Sequence, residues 1–173
     1  MSVQDKACVR QEGSARRIDA VILGLNDALV ELTGALAGFT ISFADNKLIA
    51  LAGLTTGVAA TFSMASADYL ATKNGHSLLS SLKSALATGV AYIVTTALLL
   101  SPYLALSNPF AALGVTIALA VAIIFVFTLV VSRIRCSNFK GDFVEMLSIS
   151  CVVAFLCFIV GWGANKLWGL EAG

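Results

Sequence analysis

Long apolar stretches, separated by short polar segments, set the pattern of this chain. Between Leu79 and Ser132 the only charged residue is Lys83, and comparable apolar runs lie on either side of that region. A helix needs about 20 mainly apolar residues to cross a bilayer. The pattern therefore predicts an all-α membrane protein with five transmembrane helices, at residues 20–43, 48–70, 85–106, 110–132 and 143–167, in a single transmembrane domain that covers residues 1–173.

Composition and connecting segments support this fold class. Of the 173 residues, 58% are hydrophobic and 12% are charged, whereas a typical soluble domain is about 25% charged. The apolar runs are longer than the strands of a membrane barrel, which alternate over about ten residues. Residues 45–47 form a polar turn, and Ser101-Pro102 and Asn108-Pro109 are expected to mark the loop between spans three and four.

The net charge of +1 argues against a nucleic-acid partner, which usually needs a basic surface.

Basic residues are divided unevenly between the two ends of the predicted spans. Nine of the 11 Lys and Arg residues precede span one or lie in the loops after spans two and four, and only Lys47 and Lys166 lie at the opposite ends. By the positive-inside rule, the richer side faces the cytosol. The N-terminus is therefore predicted to be cytosolic and the C-terminus to lie outside, which an odd number of spans requires.

Acidic residues inside two of the spans are the main functional signal. Asp27 and Glu31 lie four residues apart in span one, and Met64 and Asp68 have the same spacing in span two, so each pair shares one helix face. A carboxylate at membrane depth usually faces a cavity, the protein interior or a partner. Asp27 and Met64 both lie roughly 10 Å from the predicted cytosolic ends at 1.5 Å per residue, with Asp68 shallower and Glu31 deeper. The two pairs are predicted to line one path.

The chemistry of these side chains favours a metal, but other interpretations stay open. Oxygen ligands alone suit Mg²⁺ or Ca²⁺, and an added sulfur favours a transition metal such as Fe²⁺. Met64 can instead fill the core, Asp68 can pair with Lys73, and Asp27 can be neutral and hydrogen-bonded. A structural or assembly membrane protein and a passive cation channel are therefore alternatives. No nucleophile–base pair is apparent, and the only histidine, His76, lies in a loop, so we expect no enzymatic activity.

Small residues recur at a four-residue spacing in the first two spans. Gly34 and Gly38 form one GxxxG motif, and Gly53 and Gly57 form another. Such motifs let two helix backbones approach closely. The close contact can lie within one chain, or it can join two copies through span one, and the spacing alone does not decide between these alternatives.

Three segments of the sequence carry distinctive motifs. Residues 24–30 read Gly-Leu-Asn-Asp-Ala-Leu-Val and lead to Gly34 and Gly38; residues 52–73 include Ser63-Met64 and Tyr69; and residues 143–162 run from Phe-Val-Glu-Met to Ile-Val-Gly-Trp. These segments resemble the first, second and last spans of the vacuolar iron transporter family. The resemblance covers all five spans and is most specific in the first two.

The resemblance implies a five-span homodimer that moves Fe²⁺, and in many members Mn²⁺, out of the cytosol in exchange for protons. It implies a metal path at the dimer interface, lined by spans one and two, with Asp27 and Met64 as ligands. Asp68 stands where many bacterial-type members carry Glu. Glu145, at the cytosolic start of span five, is a further candidate at the mouth of the path, or an acid favoured by the helix dipole. The metal and protons are thus expected as substrates in the bilayer, with no cofactor.

Departures from the family pattern matter as well. Plant-type members have acids at the positions of Ala20 and Thr56, and Asp19 points about 100° away from the first of these. Glu31 and Asp68 are candidate replacements for the missing acids. Plant-type members also insert a Glu-rich, metal-collecting domain between spans two and three, where this chain has only residues 73–83. The lack of that domain favours a prokaryotic plasma membrane over a vacuole.

Overall fold

The computed structural model of this chain is a bundle of five α-helices. They are α1 (Val3–Ser42), α2 (Asn46–Thr72), α3 (Leu78–Ala105), α4 (Pro109–Arg135) and α5 (Phe139–Trp168). The structure describes the backbone of residues 3–43, 45–75, 77–135 and 138–168, and the side chains of residues 18–43, 45–75, 77–134 and 138–167. His76 and the side chains of the basic residues that precede Ile18 lie outside the described residues.

Each of the five helices is long and apolar enough to cross a membrane. The segments that satisfy this condition are Ile18–Ser42, Asn46–Thr72, Leu78–Ala105, Pro109–Ile134 and Phe139–Leu167. This confirms the predicted fold class. The predicted starts at residues 85 and 143 fall inside α3 and α5, because both helices begin earlier and include Lys83 and Asp142, whose charges had excluded them from the apolar spans. The orientation and the homodimer stay predictions.

Polar side chains begin two of the helices. Oδ1 of Asp45 accepts a hydrogen bond from the backbone N–H of Lys47 at 2.8 Å before α2. Before α4, Oδ1 of Asn108 accepts from the backbone N–H groups of Phe110 at 2.9 Å and Ala111 at 3.2 Å. The first N–H groups of a helix have no partner within it, so such caps fix where the helix begins. The turns predicted at Asp45 and Asn108 therefore have a direct physical cause.

Pro102 lies inside α3, which continues to Ala105, so the expectation that Ser101-Pro102 marks the loop is wrong. Proline lacks an N–H and would leave the carbonyl of residue 98 without its helical donor. The hydroxyl of Ser101 donates to that carbonyl, on Leu98, at 2.7 Å. The neighbouring serine thus replaces the missing donor and lets the helix run on for its last turn.

The glycine motif of α1 packs against α5 of the same chain. A Cβ added at Gly34 would lie 2.9 Å from the side chain of Val153, and one added at Gly38 would lie 3.0 Å from the carbonyl oxygen of Cys157. So close an approach favours glycine at both positions: at Gly38 the backbones of α1 and α5 meet directly, and at Gly34 the backbone of α1 lies against side chains of α5. Of the two alternatives for this motif, the structure shows the contact within one chain.

The glycine motif of α2 packs against α3 in the same way. A Cβ at Gly53 would lie 2.6 Å from the side chain of Leu100 and 3.0 Å from that of Leu36, while one at Gly57 would clash with Thr96. A third glycine, Gly24 of α1, lies against the backbone of Thr88 in α3. Helices α1, α2 and α3 therefore form a tightly packed unit, to which α5 is joined through α1.

Apolar side chains divide between the interior of this bundle and its outer surface. Large exposed ones include Phe62, Leu104 and Phe155, at 71%, 75% and 64% exposure. Exposed apolar surface on this scale is unusual for a soluble protein and expected for helices that face lipid. The largest buried cluster of the described residues comprises Leu29, Leu32, Leu36, Ile49, Ala50, Leu99, Leu100, Tyr103, Ala112, Ala120 and Ile124.

Candidate metal-binding path

Asp27 and Glu31 lie one turn apart on a face of α1 that the other helices leave partly open. Both side chains are half-buried, and Leu23, one turn earlier on the same face, is 47% exposed. The adjacent positions Ala28 and Leu29 are fully buried, so the acids border the core without entering it. The two carboxylates interact electrostatically, as expected of like charges at this spacing.

Tyr92 of α3 contacts the deeper of these two acids. Its Oη donates a hydrogen bond to Oε2 of Glu31 at 2.7 Å. The tyrosine is fully buried, and it also lies within electrostatic reach of Asp27. A phenol hydroxyl inside a protein needs a partner, and here the partner is a candidate metal ligand.

Thr88, also in α3, contacts the acid of α2. Its hydroxyl proton is shared between Oδ2 of Asp68 at 3.2 Å and the backbone carbonyl of Ser84 at 3.3 Å. Thr88 is fully buried, whereas Asp68 is half-buried. The carboxylate of Asp68 is therefore held against α3 and does not extend freely into solvent.

These contacts order the acids along the bundle. Thr88 precedes Tyr92 by one turn of α3, so Asp68 lies nearer the predicted cytosolic end than Glu31. Helix α2 runs in the opposite direction, which places Met64 one turn deeper than Asp68 on the same helix face. Met64 is half-buried. The candidate ligands of α1 and α2 thus occupy successive levels beside α3.

No group of three or more His, Cys, Asp or Glu side chains among the described residues lies close enough to hold a metal ion. The acids form smaller sets instead, with Asp27 beside Glu31 and Asp68 beside Thr88, one turn of α3 before the contact between Tyr92 and Glu31. A metal bound at either set would need ligands from water, from the sulfur of Met64 or from a second copy of the chain.

Glu145 lies in a different part of the bundle. Its side chain is exposed and lines a cleft of about 390 Å³ between α1, α4 and α5, whose polar lining includes Asn26, Thr128 and Asp142. Asp27, Glu31, Met64 and Asp68 are not among the residues that line this cleft. Oδ2 of Asp142 accepts a hydrogen bond from Ser132 at 3.3 Å. The structure therefore does not bring Glu145 together with the other four candidates.

Sequence reasoning missed Thr88 and Tyr92. A signal for them was present, because Ser81, Ser84, Thr88 and Tyr92 recur every three or four residues in an otherwise apolar span, and all four are buried. This spacing marks one face of a helix. What the spacing could not supply was the partner of each hydroxyl, since Glu31 and Asp68 belong to two other helices.

Two positions at which the resemblance implied acids hold Ala20 and Thr56 in this chain. Ala20 is buried, with 4% exposure, and Thr56 is half-buried. The neighbouring Asp19 is exposed and does not occupy the position of Ala20. The structure leaves the idea that Glu31 and Asp68 replace these acids as a prediction.

The sequence of this chain was also compared with those of known protein families. Residues 18–81 match the sequence model of the VIT family. This match supports membership of the VIT family. The matched residues comprise the membrane part of α1, all of α2 and the start of α3, and so include Asp27, Glu31, Met64 and Asp68. No curated protein matches the chain significantly.

The match supports the resemblance found in the sequence, and the VIT family suggests membrane transport of metal ions. Together with the five helices long and apolar enough to cross a membrane, the match supports an integral membrane protein. The acids of α1 and α2 lie within the matched segment, which connects the family function to the region described above.

Proposed function

We propose that this protein carries Fe²⁺, Mn²⁺ or both out of the cytosol in exchange for protons. The observation that supports this most is the placement of Asp27 and Glu31 on a partly open face of α1, with Met64 and Asp68 on α2. In a bilayer, side chains that bind a cation occupy such a face only at a cost of a few kcal/mol. Binding of a transported ion would explain why the chain keeps these side chains in the membrane despite that cost.

The ligand chemistry favours these two metals. Carboxylate oxygens bind Mn²⁺ and Fe²⁺ as well as Mg²⁺, while a thioether such as that of Met64 adds preference for softer transition metals. Neither Mg²⁺ nor Ca²⁺ gains from a sulfur ligand. Asp27 and Met64 are the proposed central ligands, with Asp68 shallower and Glu31 deeper.

A second copy of the chain is proposed to complete the path. The face of α1 that carries Leu23, Asp27 and Glu31 is left partly open by the other helices of its own chain. A symmetric dimer through this face would place two sets of acids opposite each other and supply more ligands than one chain offers. The GxxxG motif of α1 is already occupied by α5, so the proposed interface uses the acid-bearing face.

Exchange with protons follows from competition for the same oxygen atoms. A carboxylate must lose its proton to bind a metal, so metal binding releases protons and protonation releases metal. With the N-terminus in the cytosol, metal would enter near Asp68 and leave beyond Glu31. Glu145 is proposed to attract cations toward the cytosolic side of the bundle. The membrane is proposed to be a prokaryotic plasma membrane.

The test uses purified protein in liposomes. Fe²⁺ and Mn²⁺ flux is measured with and without an imposed pH gradient, for the wild type and for Asp27→Ala and Met64→Ala. Asp45→Asn and Tyr103→Phe serve as controls, because they alter a carboxylate and a buried side chain away from the proposed path. Size-exclusion chromatography confirms that each variant is folded.

We expect gradient-stimulated flux in the wild type and in both controls, and loss of flux in the two path variants. Flux that the pH gradient does not affect would replace the antiporter with a passive cation channel. The absence of metal flux in folded wild-type protein would overturn the proposal and favour a structural role.

A further inference from the structure

Two buried hydroxyl groups of α3 each contact a different acid of the proposed path. Oη of Tyr92 lies 2.7 Å from Oε2 of Glu31 on α1, and Oγ1 of Thr88 lies 3.2 Å from Oδ2 of Asp68 on α2. Thr88 and Tyr92 are one turn apart, and both are fully buried. One helix thus reaches acids on both of the helices that carry the candidate ligands.

Close packing fixes the position of α3 at these residues. Gly24 of α1 lies against the backbone of Thr88, and a Cβ at Gly89 would lie 3.4 Å from the side chain of Ala65 in α2. One to two turns further along, Gly57 lies against Thr96. Because α3 is in contact with both neighbours, it cannot move its hydroxyl groups away from the acids without separating helices.

The two hydroxyl groups differ in the number of acceptors that share their proton. The proton of Thr88 is shared with the backbone carbonyl of Ser84 at 3.3 Å, so its hold on Asp68 is partial. Tyr92 donates to Glu31 at the shorter distance. A neutral donor to a charged acceptor makes one of the stronger hydrogen bonds in proteins, and the contact occupies one of the two carboxylate oxygens of Glu31.

We propose that Tyr92 is a positioning residue that fixes Glu31 as a one-oxygen metal ligand, and that Thr88 has the same role, more weakly, for Asp68. This inference rests on the proposed function, because it assigns α3 as a third wall of the same path. Neither residue lies in the segment that matches the VIT family, which ends at Ser81.

The hydrogen bond between Tyr92 and Glu31 bears on which metal ion the path prefers. Ca²⁺ takes six to eight oxygen ligands and often binds a carboxylate through both oxygens, whereas smaller divalent ions accept fewer ligands. Because Oε2 of Glu31 accepts the hydrogen bond of Tyr92, the other carboxylate oxygen is the freer of the two to bind the ion. Tyr92 therefore disfavours Ca²⁺ relative to Mn²⁺ and Fe²⁺.

The chain supplies a matched control for Tyr92. Tyr103 lies three turns further along α3, is also buried, and its Oη makes a 2.7 Å hydrogen bond to the hydroxyl of Thr40, away from the acids. Tyr92→Phe and Tyr103→Phe each remove one buried hydroxyl from the same helix. A general loss of stability affects both variants, whereas a loss of positioning affects only the first.

The experiment measures equilibrium Mn²⁺ binding to purified protein, by the electron paramagnetic resonance signal of free Mn²⁺, and Mn²⁺ flux in liposomes. Both are repeated with increasing Ca²⁺. For Tyr92→Phe we expect Mn²⁺ binding to weaken about three- to tenfold, the range for one hydrogen bond, and Ca²⁺ to compete more effectively. Tyr103→Phe should match the wild type in both respects.

Two further comparisons separate positioning from structure. In a Glu31→Gln background, adding Tyr92→Phe should have little further effect, because the two residues act as one unit. Thr88→Val should weaken Mn²⁺ binding, and Thr88→Ser, which keeps the hydroxyl, should restore it.

The possible results bear differently on the two proposals. Equal behaviour of Tyr92→Phe and Tyr103→Phe would overturn the positioning role, whether both bind normally or both bind poorly. Wild-type protein that binds Mn²⁺ but transports neither Mn²⁺ nor Fe²⁺ would overturn the proposed function alone. Wild-type protein that neither binds Mn²⁺ nor transports either metal would overturn both.

Discussion

Gly24 of α1 lies directly against the backbone of Thr88 in α3, so closely that a Cβ at residue 24 would clash with the Thr88 carbonyl oxygen. This contact stands one turn from Asp27 on α1, and Thr88 itself holds Asp68 of α2 at 3.2 Å. The absence of a side chain at one position of α1 therefore sets how closely the acids of two helices approach α3.

Gly24→Ala should force α1 and α3 apart. We expect a loss of about 1–3 kcal/mol in stability, the usual range for an extra group in a packed interior. Thermal unfolding in detergent measures this. Gly114→Ala is the control, because nothing lies within 4 Å of a Cβ at that position, and its unfolding temperature should stay the same or rise slightly. Equal melting of both variants would contradict the close contact.

Glu31 and Asp68 should act together in transport. Glu31→Gln combined with Asp68→Asn removes both charges and keeps similar side-chain volumes. We expect metal flux to fall at least about tenfold, since even partners outside the first ligand shell are worth about ten- to a hundredfold. Asp45→Asn is the control, because Asn caps a helix as well as Asp does. Normal flux in the double variant would show that these acids do not replace those missing at Ala20 and Thr56.

Glu145 should affect how metal reaches the path and not how it crosses. Its exposed side chain and its separation from the other acids predict that Glu145→Gln raises the metal concentration for half-maximal flux about two- to fivefold at low salt, with unchanged maximal flux. Salt screens exposed charges, so the difference should shrink as ionic strength rises. Identical kinetics at every ionic strength would leave only the helix-dipole role.

The orientation can be measured with introduced cysteines. In a background with the four native cysteines replaced, Lys47→Cys lies in the first turn of α2 and Asn74→Cys lies between α2 and α3. The positive-inside rule predicts that a membrane-impermeant maleimide labels residue 47 in intact cells and residue 74 only after permeabilisation. The reverse pattern would invert the proposed direction of transport.

The helices could be predicted from the sequence because each depends on local information. Apolar length predicts the number of spans, and the polar residues at Asp45 and Asn108 mark two of the turns between them. Pro102 was misleading, since its usual effect depends on a missing N–H that the neighbouring Ser101 compensates. That compensation is also local, but it is specific to one pair of residues.

The candidate site was only partly predictable. The four-residue spacing of Asp27 and Glu31, and of Met64 and Asp68, placed each pair on one helix face. Which helix would face those pairs depends on tertiary packing, and a tyrosine in a membrane span does not by itself reveal the partner of its hydroxyl group. Glu145 was grouped with the other acids because of its predicted depth, which carries no information on position around the bundle.

The contact between α1 and α5 bears on biosynthesis. A chain enters the membrane from its N-terminus, so the surface of α1 around Gly34 and Gly38 is complete long before α5 has left the ribosome. Helices α1, α2 and α3 can assemble meanwhile, since their shared contacts involve no later span. The last step of folding then packs α5 against α1. A chain truncated before residue 139 would leave the glycine surface of α1 without a partner in its own chain.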